Sequence, residues 1–486
     1  MLCCKILEVP FLQIEILKMK TKITGIIVAI LVIIYFIIIF SYQSKYPQLK
    51  WEWNKIDTEN MNFPKDFLWG VSTAAHQVEG NNTNNQWYAW ENSLDETGKS
   101  RVENGEKSGL ACDHWNRYPT DIKLIKDLGV KAYRFSVEWS RIEPQKGVFD
   151  SVAIRHYQDV CDSLIESGIE PVVTLHHFTN PIWFEEMGAF EKKENVKYFI
   201  EFVEEIFPAL QNRVNKWCTI NEPAVYTVDG YFTTMSPPGK SDPALAGVVL
   251  RNLLEAHVQA YHKIKSLPGG ENVEIGIVKN MTQFDPYNKW SIGDWFVAST
   301  VYKIFNTSIL GFLKTGNYKF NMPFEVKMDE HNPSAVNTLD FIGLNYYSHY
   351  YYKFTFDQEK LFDPHYKKDE IMTDMDYPFY PEGFYRAAQT LSQFGVPIYV
   401  TENGIADTKD DRRALFINRY LYALSKAIEE GSDVKGYFYW SLLDNFEWSF
   451  GYDKQFGLYS VNLETQERTL KEGAKQYREI VKEFSR

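Results

Sequence analysis

The sequence predicts an α/β protein, a single (β/α)8 TIM barrel preceded by one N-terminal transmembrane helix. Two patterns carry this reading. Between residues 61 and 486, eight short β-rich runs each lead into a longer stretch with helical or loop character. Ahead of them, residues 23–40 form an uncharged apolar run, ITGIIVAILVIIYFIIIF.

The eight runs are FLWGVSTAA (67–75), VKAYRFSV (130–137), PVVTLHH (171–177), KWCTIN (216–221), VEIGIV (273–278), LDFIGLNYY (339–347), PIYVTEN (397–403) and KGYFYWSLL (435–443). Several are continuously apolar, as parallel strands covered on both faces must be. Residues 118–128, 153–167 and 411–430 are amphipathic at helical spacing. Eight strand-plus-helix units favour a closed barrel over an open sheet. The chain has 486 residues, a length that one barrel with insertions reaches.

The apolar run is long enough to cross a hydrocarbon core of roughly 30 Å as a helix. A cleaved signal is its rival, but signal cores are shorter and end at a small-residue site. Here SYQSKYP follows. We therefore expect a cytoplasmic segment at 1–22, a signal-anchor helix at 23–42, a tether at 43–60 and the large domain at 61–486, outside the cytoplasm. Secretion after cleavage is the alternative. Lys18, Lys20 and Lys22 precede the run, and Lys45 and Lys50 follow it, a modest bias that keeps the N-terminus inside. Met19 is an alternative start, and Cys3 and Cys4 lie where lipidation would reach them. Glycosylation sequons begin at Asn81, Asn280 and Asn306.

The net charge of −12 argues against nucleic acid, which wants a basic face. None of the five cysteines forms a CxxC pair, so neither a zinc site nor a redox motif is implied. There is no Walker A loop, no GxGxxG after a strand and no HExxH, so no metal and no cofactor is expected.

Polar and aromatic residues gather at the C-terminal ends of the runs, which meet on one face of a parallel barrel. Run one leads into His76 and Gln77, and run two contains Arg134. Run three ends at His177, run four at Asn221 and run six at Asn345 and Tyr347, while run eight carries Trp440. TINEP places Glu222 and VTENG places Glu402 at the ends of buried strands. A carboxylate there is costly unless paired or used. Strands four and seven lie across the mouth from one another. If the gap is about 5–5.5 Å, one carboxylate must act as nucleophile.

From about Asn62 to the C-terminus the chain resembles glycoside hydrolase family 1, the β-glucosidase/β-galactosidase family. The resemblance rests on FPKDFLWGVSTAAHQVEG, RFSVEWSRIEP, VTLHHF, TINEP, GLNYY, YVTENG and FYWSLLDNFEWSFGYDKQFGLY. It implies a retaining β-glycosidase acting on terminal non-reducing β-linked sugars, with Glu222 as acid/base and Glu402 as nucleophile. Arg134 and Tyr347 would orient Glu402. Gln77, His177, Asn221, Glu447 and Trp448 would bind hydroxyls, with Asn345 as a polar neighbour and Trp440 as the platform under the ring. The Glu402 charge would raise the pKa of Glu222 until Glu402 becomes a neutral ester.

Three positions depart from the family pattern: His76 and Phe178, where other aromatics are usual, and Tyr377, near a common Trp. They leave the aglycone open. A Glu447 carboxylate would repel a phosphate dianion, and relatives acting on 6-phosphosugars carry Ser, Lys and Tyr on this loop. Transfer of the glycosyl unit to a sugar or lipid acceptor is an alternative function. A non-catalytic glycan-binding membrane protein is a third, disfavoured by the two glutamates.

Overall fold

The computed structural model describes residues 5–485 except 324, 348, 358 and 359, with side chains from residue 12 onward. Cys3 and Cys4 lie outside the described residues. The chain forms two compact units.

The larger unit comprises residues 51–283, 302–349 and 366–486. Its centre is a closed barrel of β1 (Leu68–Ser72), β2 (Ala132–Ser136), β3 (Glu170–His176), β4 (Lys216–Asn221), β5 (Glu274–Asn280), β6 (Phe341–Asn345), β7 (Ile398–Asn403) and β8 (Val434–Trp440). The strands pair in chain order, all parallel, and β8 closes on β1. All eight coincide with the predicted runs. Helices at His114–Leu128, Ser151–Glu166 and Arg413–Glu429 match the predicted amphipathic segments. The Asp150 carboxylate caps the second of these by accepting from the backbone N–H of Val152 and Ala153. An antiparallel pair, Asn317–Met322 with Val326–His331, was not foreseen.

One interior cluster takes a side chain from every strand: Leu68, Ala132, Val172, Cys218, Val278, Phe341, Tyr399 and Phe438. The two rings fit because glycine stands opposite. A Cβ at Gly70 would lie 2.4 Å from the Phe438 ring, and one at Gly276 would lie 2.6 Å from the Phe341 ring. Strand alternation then sets what stands above this floor. Arg134, Thr174 and Trp440 each follow a floor residue by two positions and share its face.

Asn221 and Glu402 follow Cys218 and Tyr399 by three positions, which in a regular strand would turn them outward. Register shifts correct this. One lies between Cys218 and Asn221 on β4, the other between Val400 and Glu402 on β7. A bulge re-aims the side chains beyond it.

The smaller unit comprises residues 1–50, 284–301 and 350–365. Its helix runs Lys5–Lys45, longer at both ends than the expected 23–42. Residues 12–22 contain no Gly or Pro and carry a Glu15–Lys18 pair at 3.1 Å, so helix propagates through them. By length and composition it is a candidate membrane span, and its apolar side chains are exposed almost throughout.

Of the sequons, Asn81 is exposed and Asn306 is buried. The Asn306 side-chain amide donates to the Thr282 carbonyl, so a glycan does not fit there in the folded protein.

Candidate active site

The expected site residues converge at the C-terminal ends of the strands. Gln77 sits in a short helix after β1, Arg134 within β2, and His177 directly after β3. Asn221 ends β4, Asn345 ends β6, Glu402 stands in β7 and Trp440 ends β8. Glu222 follows β4 in a left-handed conformation, φ 45°, which costs a non-glycine residue about 1–2 kcal/mol. Pro223 starts the next helix immediately afterwards.

Glu402 is held from two sides. The Arg134 Nη1 donates to its Oε1 at 2.5 Å, and the Tyr347 hydroxyl donates to its Oε2 at 2.7 Å. Arg134 is itself fixed by Thr174 Oγ1 at 3.0 Å and Asn221 Oδ1 at 2.7 Å. Such a fully buried guanidinium is stable only with this complement of acceptors.

Glu222 is set differently. Its Oε1 accepts from the Asn345 side-chain amide at 2.8 Å. Burial, then the Glu402 charge, pushes its carboxyl up to about 8, against the opposing influence of Asn345, Lys279 and Arg134. The direction of this shift favours the protonated form of Glu222. Asn345 Nδ2 also reaches Asn221 Oδ1 at 3.3 Å, so one polar chain links the two glutamates: Glu402, Arg134, Asn221, Asn345, Glu222.

The remaining residues form a ring around this pair. His177 Nε2 meets Asn221 Nδ2 at 3.3 Å. Burial and the Arg134 charge hold the imidazole pKa well below its usual value, so the ring is neutral. His177 stacks on Trp440, with centroids 5.8 Å apart at 17°. Gln77 donates to Glu447 Oε2 at 3.0 Å and to Asn445 Oδ1 at 2.9 Å. Buried Gln77 Oε1 and His177 Nδ1 have no hydrogen-bond partner among the described residues. Each leaves a buried polar atom with capacity for one further hydrogen bond.

Glu447 is partly exposed at the mouth, yet burial pushes its carboxyl up to about 8. A carboxyl raised this far repels a phosphate dianion less than an ordinary carboxylate does. Its Oε2 accepts from the Gln77 side-chain amide.

The three departures from the family pattern take structural places. Trp448 stacks on His76 at 5.8 Å and 13°, and meets Phe178 edge-on at 5.4 Å. Tyr377 is buried, while half-buried Met375 packs on the Trp440 cluster with Tyr347. Met375 was not foreseen, nor was Lys279. Lys279 is fully buried, donates to the Asn280 carbonyl and lies 4.4 Å from the Phe305 ring centroid. Burial lowers its ammonium pKa to about 7 and the Glu222 charge opposes that. The signal was present: a cation ending an apolar strand. The expected run stopped at Val278, one residue short, while β5 continues to Asn280.

A barrel with two unlike carboxyls at its mouth, ringed by hydrogen-bonding groups and tryptophan, is built for glycosidic bonds. The family model for glycosyl hydrolase family 1 matches residues 59–485, and the chain belongs to that family. It is an O-glycosyl hydrolase. Beta-glucosidase A of Acetivibrio thermocellus is 33% identical over 87% of this chain and 98% of its own. A 6-phospho-beta-galactosidase of Clostridium acetobutylicum is 31% identical over 86% and 97%. The solved beta-glycosidase from Pyrococcus horikoshii superposes with a TM-score of 0.79 at 38% identity, covering 87% of this chain and 96% of that one.

Proposed function

We propose that the protein is a retaining β-glycosidase of the gluco- and galactoside type, with Glu402 as nucleophile and Glu222 as acid/base. The observation that carries this reading is the unequal setting of the two carboxyls. Glu402 is gripped by a guanidinium and a phenol. Glu222 is desolvated, takes one amide donor and is pushed toward its protonated form. In the first step Glu222 protonates the departing oxygen while Glu402 Oε attacks the anomeric carbon. The C–O bond to the aglycone breaks and a glycosyl ester forms. Esterification removes the Glu402 charge and the Glu222 pKa falls; Glu222 then takes a proton from a water whose oxygen bonds to the anomeric carbon as the ester C–O bond to Glu402 breaks, freeing the sugar and the Glu402 carboxylate. Gln77, His177, Asn221, Glu447 and Trp448 bind hydroxyls, and Trp440 supports the ring.

The test separates the glutamates. Glu402→Ala abolishes turnover of every aglycone. Glu222→Ala slows alkyl glycosides by about 10²–10⁴ and dinitrophenyl glycosides far less in the bond-breaking step. Azide restores its turnover and yields the β-glycosyl azide. Equal losses on both substrate classes without azide rescue refute the assignment, and an α-azide exchanges the two roles. Product analysis with added sugar or lipid acceptors distinguishes hydrolysis from transfer.

The substrate reading is an unphosphorylated sugar, because Gln77 and Glu447 offer hydroxyl partners. Faster cleavage of a 6-phosphoglycoside than of its plain counterpart overturns it. The N-terminal helix is read as a signal anchor at 23–42, with the barrel at 61–486 outside the cytoplasm. Residues 23–40 as a helix span about 27 Å. N-terminal sequencing after protease treatment of sealed vesicles tests it, and a mature chain starting near Ser44 sinks it.

A further inference from the structure

The smaller unit carries an aromatic surface that the catalytic reading does not use. Tyr287, Trp290, Ile292, Phe296, Phe354 and Phe356 are 36–94% exposed. They lie on two segments, residues 284–301 and 350–365, in one compact unit with the N-terminal helix. Phe354 and Phe356 pack edge-on at 5.1 Å, and the Phe354 backbone N–H donates to Asp294, which joins the two segments.

The contacts with the helix fix the level of this surface. The Tyr35 hydroxyl donates to the Trp290 carbonyl. Phe40 meets the Trp290 ring edge-on at 6.3 Å. Gln43 donates to the Lys289 carbonyl, and Tyr42 stacks on Trp295 at 5.3 Å and 9°. Tyr35 lies five residues before the end of the apolar run, about 7.5 Å along the helix axis. Trp290 is therefore level with the last turns of the apolar run. If that run is in lipid, the segment beside it is as deep as interfacial aromatic residues sit, roughly 5–10 Å.

The polar groups agree with that depth. A phenol within an otherwise hydrocarbon helix face needs a partner, and so does a backbone carbonyl. Tyr35 and the Trp290 carbonyl satisfy each other. The Lys289 carbonyl takes Gln43 and the Trp295 indole N–H.

We infer that Tyr287, Trp290, Ile292, Phe296, Phe354 and Phe356 form a second membrane contact, a monotopic patch seated in the interfacial zone of the leaflet that holds the C-terminal end of the N-terminal helix. This rests on the reading of that helix as a membrane span. The occupant is the bilayer itself, its headgroup and upper acyl region. The patch fixes the rotation of the smaller unit about the helix axis, which one helix alone leaves free.

The test uses the full-length chain in phosphatidylcholine–phosphatidylglycerol vesicles, with Cys3 and Cys4 replaced by serine. The native Cys112, Cys161 and Cys218 are buried and stay unlabelled. An environment-sensitive fluorophore is placed singly by Trp290→Cys, Phe356→Cys, Ile30→Cys and Val152→Cys. Phe356, at 94% exposure, tolerates the change even if Trp290 does not, and Val152, at 73%, reports a free surface. The proposal expects labels at 290 and 356 to be quenched severalfold more by shallow lipid nitroxides than the label at 152, and shielded from iodide. Iodide access at 356 equal to that at 152, with Ile30 quenched by deep nitroxides, overturns the patch and keeps the span. Iodide access at Ile30 overturns the span and the patch together. Shielding at 356 without lipid quenching means a second copy covers the surface, and overturns the proposal.

Discussion

The floor and the mouth of this barrel are built by the same strands, a few residues apart. Phe438 and Trp440 share one face of β8, and Ala132 and Arg134 share one face of β2. Below, side chains meet as apolar surface and strain is avoided by glycine opposite each ring. Above, directed hydrogen bonds join the aromatic stacking, two strands shift register, and Glu222 holds a left-handed backbone. The floor is stabilised by burial, whereas the mouth spends part of that stability on pairing charges out of water. Stability and catalysis should therefore separate by height in the barrel.

The largest effect expected is at the floor. Phe438→Ala removes a buried ring and should cost about 3–5 kcal/mol of folding free energy, read by denaturant unfolding. The kcat/KM per folded molecule should change little. A loss of kcat/KM matching the stability loss would dissolve the distinction.

Tyr347→Phe probes the mouth. It deletes one hydrogen bond to a carboxylate, worth about 1.5–3 kcal/mol. A fall of about 10–100-fold in kcat/KM is expected, with the unfolding midpoint nearly unmoved. A large loss of stability with intact kcat/KM would place Tyr347 with the floor.

A subtler effect follows from Glu447. Its folded carboxyl is raised to about 8, whereas the unfolded chain releases that proton near 4.5. Between these values the folded state binds more protons, so stability falls as pH rises through the window. Glu447→Gln has no such proton to lose. The wild-type Tm should drop relative to that of Glu447→Gln between pH 5 and 8. A constant difference would show that Glu447 is ionised in the free enzyme.

The smallest effect concerns Lys279. Its charge lowers the Glu222 pKa, so Lys279→Met should move the basic limb of kcat/KM to higher pH, by less than about one unit. An unmoved limb, with activity otherwise retained, would restrict Lys279 to packing on Phe305.

What could be read in advance followed the same division. All eight strands were legible because burial on both faces leaves continuous apolar runs. The glutamates were legible because charge at the end of such a run is costly. Lys279 obeys the same logic and was lost only because the run was closed at Val278. The bulges left no sequence signal, since they follow from register between strands distant in the chain. Met375 was missed for a related reason. Which residue of a loop turns toward Trp440 is decided by the loop's path, and Tyr377, two positions on, fits the composition equally well. The helix extends beyond the apolar run at both ends, through Lys18 and Lys45, because hydropathy marks the apolar stretch while helix propagation depends on local propensity.

The packed floor has a kinetic corollary. Phe341 and Phe438 fill the barrel from below, so the mouth is the route for all traffic. The departing aglycone leaves by the passage through which water must arrive. While it lingers, it shields the glycosyl ester from water and is itself the nearest nucleophile. The partition between release and recapture is then a race set by residence time at the mouth, where half-buried Met375 packs on the cluster that holds Trp440. A slower exit lengthens the life of the ester and favours return of the sugar to an alcohol.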